Sequence, residues 1–256
     1  MCRRQLLRLL CLVLWGLGCV ACAKSATTPK TPEDYLRLGD QELGQKRETQ
    51  ARKYYEQLLE QYPDSDLKAQ AQLRIAEALY REENYLEAQF EYQKFLELYP
   101  LHPLASRAQF QVGMCHVQRV QALDRSQIHT KEALVAFRTF RSRYPQDALM
   151  AQAEEQIQFL RQRLADHELA IARFYYRKQA YHAAIGRFLN VIQVYPDMPA
   201  IAEALYLLAA SYRAEENYRK AHGVLQLLVE RFPASSYGVQ ARTQLRDLPP
   251  TGITLQ

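Results

Sequence analysis

The feature of this chain that most constrains its fold is a spacing that recurs five times. In each case an alanine is followed, eleven and twelve residues later, by an aromatic residue and a proline. The five sets are Ala51 with Tyr62 and Pro63, Ala88 with Tyr99 and Pro100, Ala133 with Tyr144 and Pro145, Ala184 with Tyr195 and Pro196, and Ala221 with Phe232 and Pro233. Such self-similarity predicts a repeat protein, because each unit buries its apolar face only by stacking on its neighbours.

The repeated unit has the spacing of a tetratricopeptide motif. Tyr35, Leu38 and Gly39 occupy the positions expected in the first helix of the first unit. Ala51 and Tyr55 occupy those of the second helix. Two helices per unit, ended by the aromatic-proline pair, therefore predict an all-α solenoid of five helix pairs over residues 33–246. The last residues, 247–256, are predicted to form a tail.

Small residues are predicted to lie where the two helices of each unit cross, because backbones approach closely only there. In the first helices these residues are Gly39, Ala76, Gly113, Ala172 and Ala209, which we expect to meet the five repeated alanines. Four and seven residues after each alanine, the second helix carries bulky, mostly aromatic or aliphatic residues that form one apolar stripe. The proline ends each pair, since it lacks a donor and disfavours the helical conformation of the aromatic residue before it.

Two units are longer than the others, because successive repeat prolines are 37, 45, 51 and 37 residues apart. In the third unit the additional residues include the polar segment 124–130, which predicts a longer internal loop. The fourth unit gains fourteen residues, close to four helical turns. We therefore predict one long first helix from about Asp147 to Lys178, about 48 Å in length. A short capping helix is predicted over residues 237–245.

The first residues are typical of a secretory signal. Arg3, Arg4 and Arg8 precede an apolar run, 9–20, that is shorter than the about twenty residues needed to span a bilayer. We expect this segment, 1–21, to be cleaved rather than retained as a membrane anchor. Loss of its arginines would lower the formal net charge from +5 to +2.

The end of the signal resembles the lipobox of bacterial lipoproteins, in which a cysteine receives the lipid. Cys22 is the preferred attachment site, because Val20 and Ala21 fit the preceding positions best. Cys19 is the alternative. Lys24 replaces the aspartate that would imply retention in the inner membrane, so the resemblance implies the outer membrane. Residues 22–32 are predicted to be a flexible tether.

Neither an enzyme nor a cofactor site is predicted. The six histidines lack metal-ligand spacing, which indicates surface or cap positions and no metal site. Asp166, His167 and Glu168 are adjacent, but neighbouring residues on a helix point about 100° apart and do not converge on one substrate atom. The lone helical Cys115 indicates packing. No basic stripe interleaved with aromatics occurs, so nucleic acid is not expected as a partner.

Arg187 differs from the other residues beside the apolar stripes. It lies next to Ala184, Phe188 and Val191, at the margin of the seam in the fourth unit. Its guanidinium either extends into solvent along the seam or pairs with the carboxylate of a partner. The sequence leaves both interpretations open.

The run from Leu164 to Tyr175, continued through Arg187 to Pro196 and the segment 203–205, resembles the BamD family, lipoproteins of the β-barrel assembly machinery. The resemblance implies a non-enzymatic scaffold at the periplasmic face of the outer membrane. Its implied partners are a POTRA domain of the barrel subunit BamA, other lipoproteins of the machinery and unfolded outer-membrane proteins.

By the same resemblance, the fourth and fifth units would dock on BamA through Arg187, Tyr181 and Tyr175. The first units would form a groove for client segments, although Arg107 stands where an aromatic residue is expected. The alternative is a periplasmic tetratricopeptide adaptor of the Tol-Pal envelope system, which shares Tyr-Pro repeats. Such adaptors normally carry no lipid and lack the extension before the fourth unit.

Overall fold

The computed structural model describes residues 29–248, and this part of the chain contains α-helices and no strand. The eleven helices of these residues are α1 (Pro32–Gly44), α2 (Glu48–Gln61), α3 (Lys68–Arg81), α4 (Tyr85–Leu98), α5 (Ala105–Gln118), α6 (Ile128–Arg143), α7 (Met150–Arg177), α8 (Tyr181–Val194), α9 (Ala200–Ala214), α10 (Tyr218–Arg231) and α11 (Ser236–Asp247). The prediction of an all-α fold is confirmed.

The helices form a stack in which each packs against the next one in the chain. The more extensive contacts between non-consecutive helices join α7 to α9 and α9 to α11. These contacts join helices of the same unit or of adjacent units, which is the mark of a solenoid, so the predicted tetratricopeptide architecture is confirmed. Helices α1 to α10 accommodate the five predicted pairs, and α11 takes the place of the capping helix. The division into five repeats stays a prediction.

The apolar stripe of the second helices is buried as expected. The five repeated alanines are each 0% exposed. The bulky residues four and seven positions later are also buried, and they are Tyr55, Leu58, Tyr92, Phe95, Phe137, Phe140, Phe188, Val191, Leu225 and Leu228. At Gly39 and Gly113, however, a Cβ atom would meet the rings of Tyr55 and Phe137. The residues that face these two glycines across the helix crossing are therefore the rings of Tyr55 and Phe137. A glycine is needed at each position because a ring extends further across the crossing than an alanine methyl group does.

The turns between paired helices share one backbone geometry. In four units the first helix is followed by a residue with φ between 58° and 60°, and these residues are Lys46, Glu83, Gln179 and Glu216. After Glu83, the Asn84 N–H donates to the Leu79 carbonyl at 3.0 Å, the long-range bond of a Schellman motif. None of the four is glycine, so each holds a left-handed conformation that costs roughly 1–2 kcal/mol. Packing of the helices therefore determines this turn.

The long helix of the fourth unit is present as α7, although it is shorter than predicted. It has 28 residues, about 42 Å, and begins at Met150 because the Asp147 carboxylate instead accepts the Leu149 N–H at 2.8 Å in the preceding turn. Its first half contributes Ala153, Ile157, Leu160 and Leu164 to a core cluster shared with α5 and α6. Its second half contributes Ala165, Leu169 and Ala172 to the cluster shared with α8 to α11. The additional turns thus join two parts of the core.

The predicted loop of the third unit lies between α5 and α6, over residues 119–127. It is held against α7, because Arg163 donates to the Gln121 carbonyl and His167 Nδ1 lies 2.5 Å from the Leu123 carbonyl oxygen. The end of the predicted segment, 128–130, is instead the first turn of α6.

The signal segment, both candidate lipid-bearing cysteines and most of the predicted tail lie outside the described residues. Within residues 29–248, no helix combines the length and the apolar character that crossing a bilayer requires.

Candidate partner-binding surface

Arg187 lies on the outer margin of α8, where the neighbouring Ala184 and Phe188 are fully buried. Its side chain is 46% exposed, and Nη1 is 3.4 Å from Oε2 of Glu168 on α7. A solvent-exposed ion pair of this kind contributes about 0–1 kcal/mol. The guanidinium is therefore held only weakly by its own chain, and it remains accessible to a carboxylate of another protein.

Tyr175 shares the face of α7 that carries Glu168. The two residues are seven positions apart, so they differ by only about 20° around the helix axis. Tyr175 is partly buried against the apolar cluster of the later units. Phe174 contacts it edge to face, with ring centroids 5.6 Å apart, and is 49% exposed.

The exposure of Phe174 was missed by the sequence analysis. This exposure could have been predicted from the sequence, because Phe174 follows Ala172, a small residue at the helix crossing, by two positions. Two positions correspond to about 200° around a helix. Phe174 therefore faces away from the crossing that buries Ala172. It adds an accessible aromatic side chain beside Tyr175 at this end of α7.

Tyr181 is the first residue of α8 and is partly buried at the turn from α7. Its ring lies 5.8 Å from that of Tyr176, in an edge-to-face arrangement. Tyr181 and Arg187 are six positions apart on the helix, so they differ by about 120° around its axis. The structure thus pairs Arg187 with Glu168 and places Tyr175 about two helical turns further along the same face of α7, with Tyr181 at the adjoining end of α8. These residues, with Phe174, are called the α7–α8 surface below.

Two ion pairs fix α7 to the elements around it. Arg173 pairs with Glu203 on α9 through both Nε and Nη2, at 2.5 Å. Arg161 pairs with Asp197 through two bonds of 2.6 Å, and its guanidinium lowers the pKa of that carboxyl. Two parallel bonds restrict orientation more than a single contact does. The α7–α8 surface therefore lies on a well-anchored helix.

Asp166, His167 and Glu168 have three different partners. Gln162 donates to Asp166 at 2.7 Å, His167 contacts the loop carbonyl of Leu123, and Glu168 pairs with Arg187. The three side chains do not converge, as the helical geometry predicted.

The interpretation of the histidines as surface or cap residues is wrong for His116. This side chain is buried in the last turn of α5, and burial lowers its pKa. His129 in the first turn of α6 lies close by, and Nδ1 of each ring is near Oε2 of Glu132, at 3.1 Å for His116 and 2.9 Å for His129. Sequence spacing missed this cluster because a loop separates the two histidines.

Cys115 is buried as predicted, and burial raises the pKa of its thiol to about 12.

The first three units carry an ion network on their first helices. Glu77 is buried and pairs at 2.7 Å with both Arg74 and Arg107. Arg74 also contacts Asp40 at 3.0 Å, and the Tyr55 hydroxyl donates to Asp40 at 2.8 Å. Arg107 therefore links α5 to α3.

A separate groove in the first units is lined by four apolar and four charged side chains. It has a volume of about 440 Å³ and is lined in part by Ile75, Leu79, Leu86 and Phe90. Leu86 and Phe90 are 61% and 65% exposed. Apolar side chains accessible to this extent favour contact with apolar groups of another chain.

The stack and its exposed surfaces define a tetratricopeptide-repeat protein. Residues 203–235 match the tetratricopeptide-repeat family directly. Residues 29–217 match the YfiO family, described as outer membrane lipoprotein. The chain therefore belongs to the YfiO family, which is the BamD family of outer membrane lipoproteins. This membership favours a scaffold of the β-barrel assembly machinery over an adaptor of the Tol-Pal system.

Three relatives show how far the similarity extends, and each is named outer membrane protein assembly factor BamD. The protein of Pasteurella multocida is 26% identical, with 78% of this chain and 82% of the relative covered. That of Haemophilus influenzae is 27% identical, with 80% and 82% covered. That of Caulobacter vibrioides is 29% identical, with 90% and 76% covered.

Proposed function

We propose that this protein is an assembly factor for outer-membrane proteins, held by a lipid at the periplasmic face of the outer membrane. The observation that carries this proposal is the family match over residues 29–217, together with relatives of this name that align over most of their length. The family description supports the lipid anchor. We assign the anchor to Cys22, with Cys19 as the alternative, after a signal over 1–21 and before a tether over 22–32.

The proposed role is that of a non-enzymatic scaffold. Its main partner is the POTRA domain of a BamA-like barrel protein, and its further partners are companion lipoproteins and unfolded outer-membrane proteins. We assign client segments to the groove walled by Leu86 and Phe90, because its exposed apolar side chains match those of an unfolded membrane protein. No nucleic-acid partner is proposed.

We assign the POTRA contact to the α7–α8 surface. Arginine and aromatic residues are enriched at protein interfaces, and an arginine-carboxylate pair is both strong and directional. Arg187 is half-exposed and holds only a weak internal partner, Glu168, and Tyr175 and Phe174 lie further along the same helix as Glu168. An acidic side chain of the POTRA domain would replace Glu168 at the guanidinium and become desolvated as the aromatics are covered.

The test is Arg187→Glu, followed by co-purification of the barrel subunit from envelopes. Truncating or reversing one member of a buried interfacial charge pair costs about 2–5 kcal/mol of binding. We expect recovery of the barrel subunit to fall sharply while circular dichroism of the purified variant stays the same. The matched control is Arg37→Glu, because Arg37 is also an exposed arginine in an ion pair, with Asp34 on α1.

A double variant separates the partner contact from the internal pair. Arg187→Glu with Glu168→Lys restores an ion pair between α7 and α8 but leaves the charge at position 187 reversed. If Arg187 contacts the partner, this variant stays defective in co-purification. Restored co-purification would show that only the internal pair matters, and normal co-purification of Arg187→Glu alone would place the docking surface elsewhere.

A further inference from the structure

A cluster of metal-ligating groups joins the ends of the long loop in the third unit. His116 belongs to the last turn of α5, and His129 belongs to the first turn of α6, with Glu132 one turn further along. One donor atom from each of the three side chains lies within 4.8 Å of the others. The cluster is independent of the α7–α8 surface and of the function proposed above.

The spacing of the donors suits a small cation. Zinc binds imidazole nitrogen and carboxylate oxygen at about 2.0–2.2 Å, so donors on adjacent corners of a tetrahedron are roughly 3.3 Å apart. Here Oε2 of Glu132 lies 3.1 Å from Nδ1 of His116 and 2.9 Å from Nδ1 of His129. Both distances are close to that spacing, and the donor atoms of the two histidines lie within 4.8 Å of each other.

His116 supplies a second, independent observation. Its ring is about nine-tenths buried, and its Nδ1 atom has no hydrogen-bond partner in acceptable geometry, although Oε2 of Glu132 lies 3.1 Å away. Buried polar atoms normally have partners, and an exception calls for an explanation such as a bound ion. An ion between His116, His129 and Glu132 would satisfy this nitrogen.

We propose that His116, His129 and Glu132 bind a divalent transition-metal ion of the zinc type. Two imidazoles favour zinc, nickel or copper over magnesium and calcium, which prefer oxygen donors. Three protein ligands leave a fourth position for water, as in open zinc sites. The ion would fasten the end of α5 to the start of α6 across the loop 119–127.

The site is open to solvent on one side and carries one acidic group. The Glu132 side chain is 42% exposed and lines a groove of about 510 Å³ together with Gln109 and Val135. Two cations lie nearby. Lys131 lines the same groove, and the Arg119 guanidinium is hydrogen-bonded to Gln89 at 3.0 Å. The groove provides a path for a hydrated ion to Glu132 and then to the buried His116.

The experiment uses the full mature protein in detergent, without a polyhistidine tag, after removal of metals by a chelator. Zinc is titrated in competition with a chromogenic chelator, and thermal unfolding is followed with and without zinc. We expect one equivalent of zinc to bind and to raise the unfolding midpoint, because a ligand that binds only the folded state stabilises it. Magnesium at the same concentration should leave the midpoint unchanged.

Variants assign the site. His129→Ala and Glu132→Gln affect partly exposed side chains, and each should weaken zinc binding by more than the about 10- to 100-fold that the loss of an outer-shell partner costs. The control is His182→Ala, whose side chain is 98% exposed and lies on α8. Substoichiometric zinc binding by the parent protein, or unchanged affinity in His129→Ala, would overturn the proposal. An equal loss of affinity in His182→Ala would place the bound zinc elsewhere.

Discussion

Adding a single methyl group at Gly113 tests the packing of the helix crossing. An alanine Cβ at this position would lie 2.7–2.9 Å from three ring atoms of Phe137. Phe137 is fully buried, and its ring contacts that of Phe110 at a centroid distance of 5.3 Å, so it has little space to move. Overpacking costs about 1–3 kcal/mol, while replacing a helical glycine by alanine contributes up to about 1 kcal/mol of stability. We expect Gly113→Ala to destabilise the fold by about 1–2 kcal/mol.

Gly186→Ala is the matched control, because a Cβ there would have no neighbour within 4 Å. Gly186 also lies inside a helix, α8, so the substitution adds no steric conflict and only replaces glycine by a residue with a higher helix propensity. We expect this to stabilise the fold by about 0.5–1 kcal/mol. Denaturant unfolding of both variants and the parent gives the two shifts, provided the slope of the transition is unchanged. A Gly113→Ala midpoint equal to or above that of the parent would refute the crowded crossing.

Two further predictions concern the anchor and the client groove. Mass spectrometry of the mature N-terminus should find acyl chains on Cys22, because the small residues before it fit the lipobox best; an acylated Cys19 or an unmodified terminus would contradict this. Phe90→Asp should weaken photo-crosslinking of unfolded outer-membrane clients to the first units, because a charge disfavours burial of apolar groups against the groove. Val239→Asp, at a side chain that is 53% exposed on α11, should leave crosslinking unchanged, and equal loss in both variants would count against a specific groove.

Most of the helical architecture could be predicted from local sequence. Proline disfavours continuation of a helix beyond its first turn, and each of the five second helices ends at the residue immediately before its aromatic-proline pair. The alanines and the bulky residues after them are buried because the helical period places them on one face. The existence of a long helix in the fourth unit followed from its fourteen additional residues, which are close to four helical turns.

The start of α7 and the conformation of the turns depend on more than local sequence. The sequence did not show where α7 begins, because the Asp147 side chain hydrogen-bonds within the preceding turn and Met150 starts the helix. Glu83 and Gln179 have a left-handed backbone conformation although neither is glycine, because helix packing supports that conformation. The sequence therefore did not reveal the conformation of these turns. The ion network around Glu77 was likewise missed, because its members belong to three different helices.

The sequence by itself determined the class of fold, the order of the helices and the faces that are buried, because these depend on periodicity and on residues close together in the chain. Only the tertiary structure decided which distant side chains meet. Arg187 reaches Glu168 on another helix, and His116 meets His129 and Glu132 across a loop. Such contacts depend on the angle and register at which helices pack, which a spacing pattern within one helix does not contain.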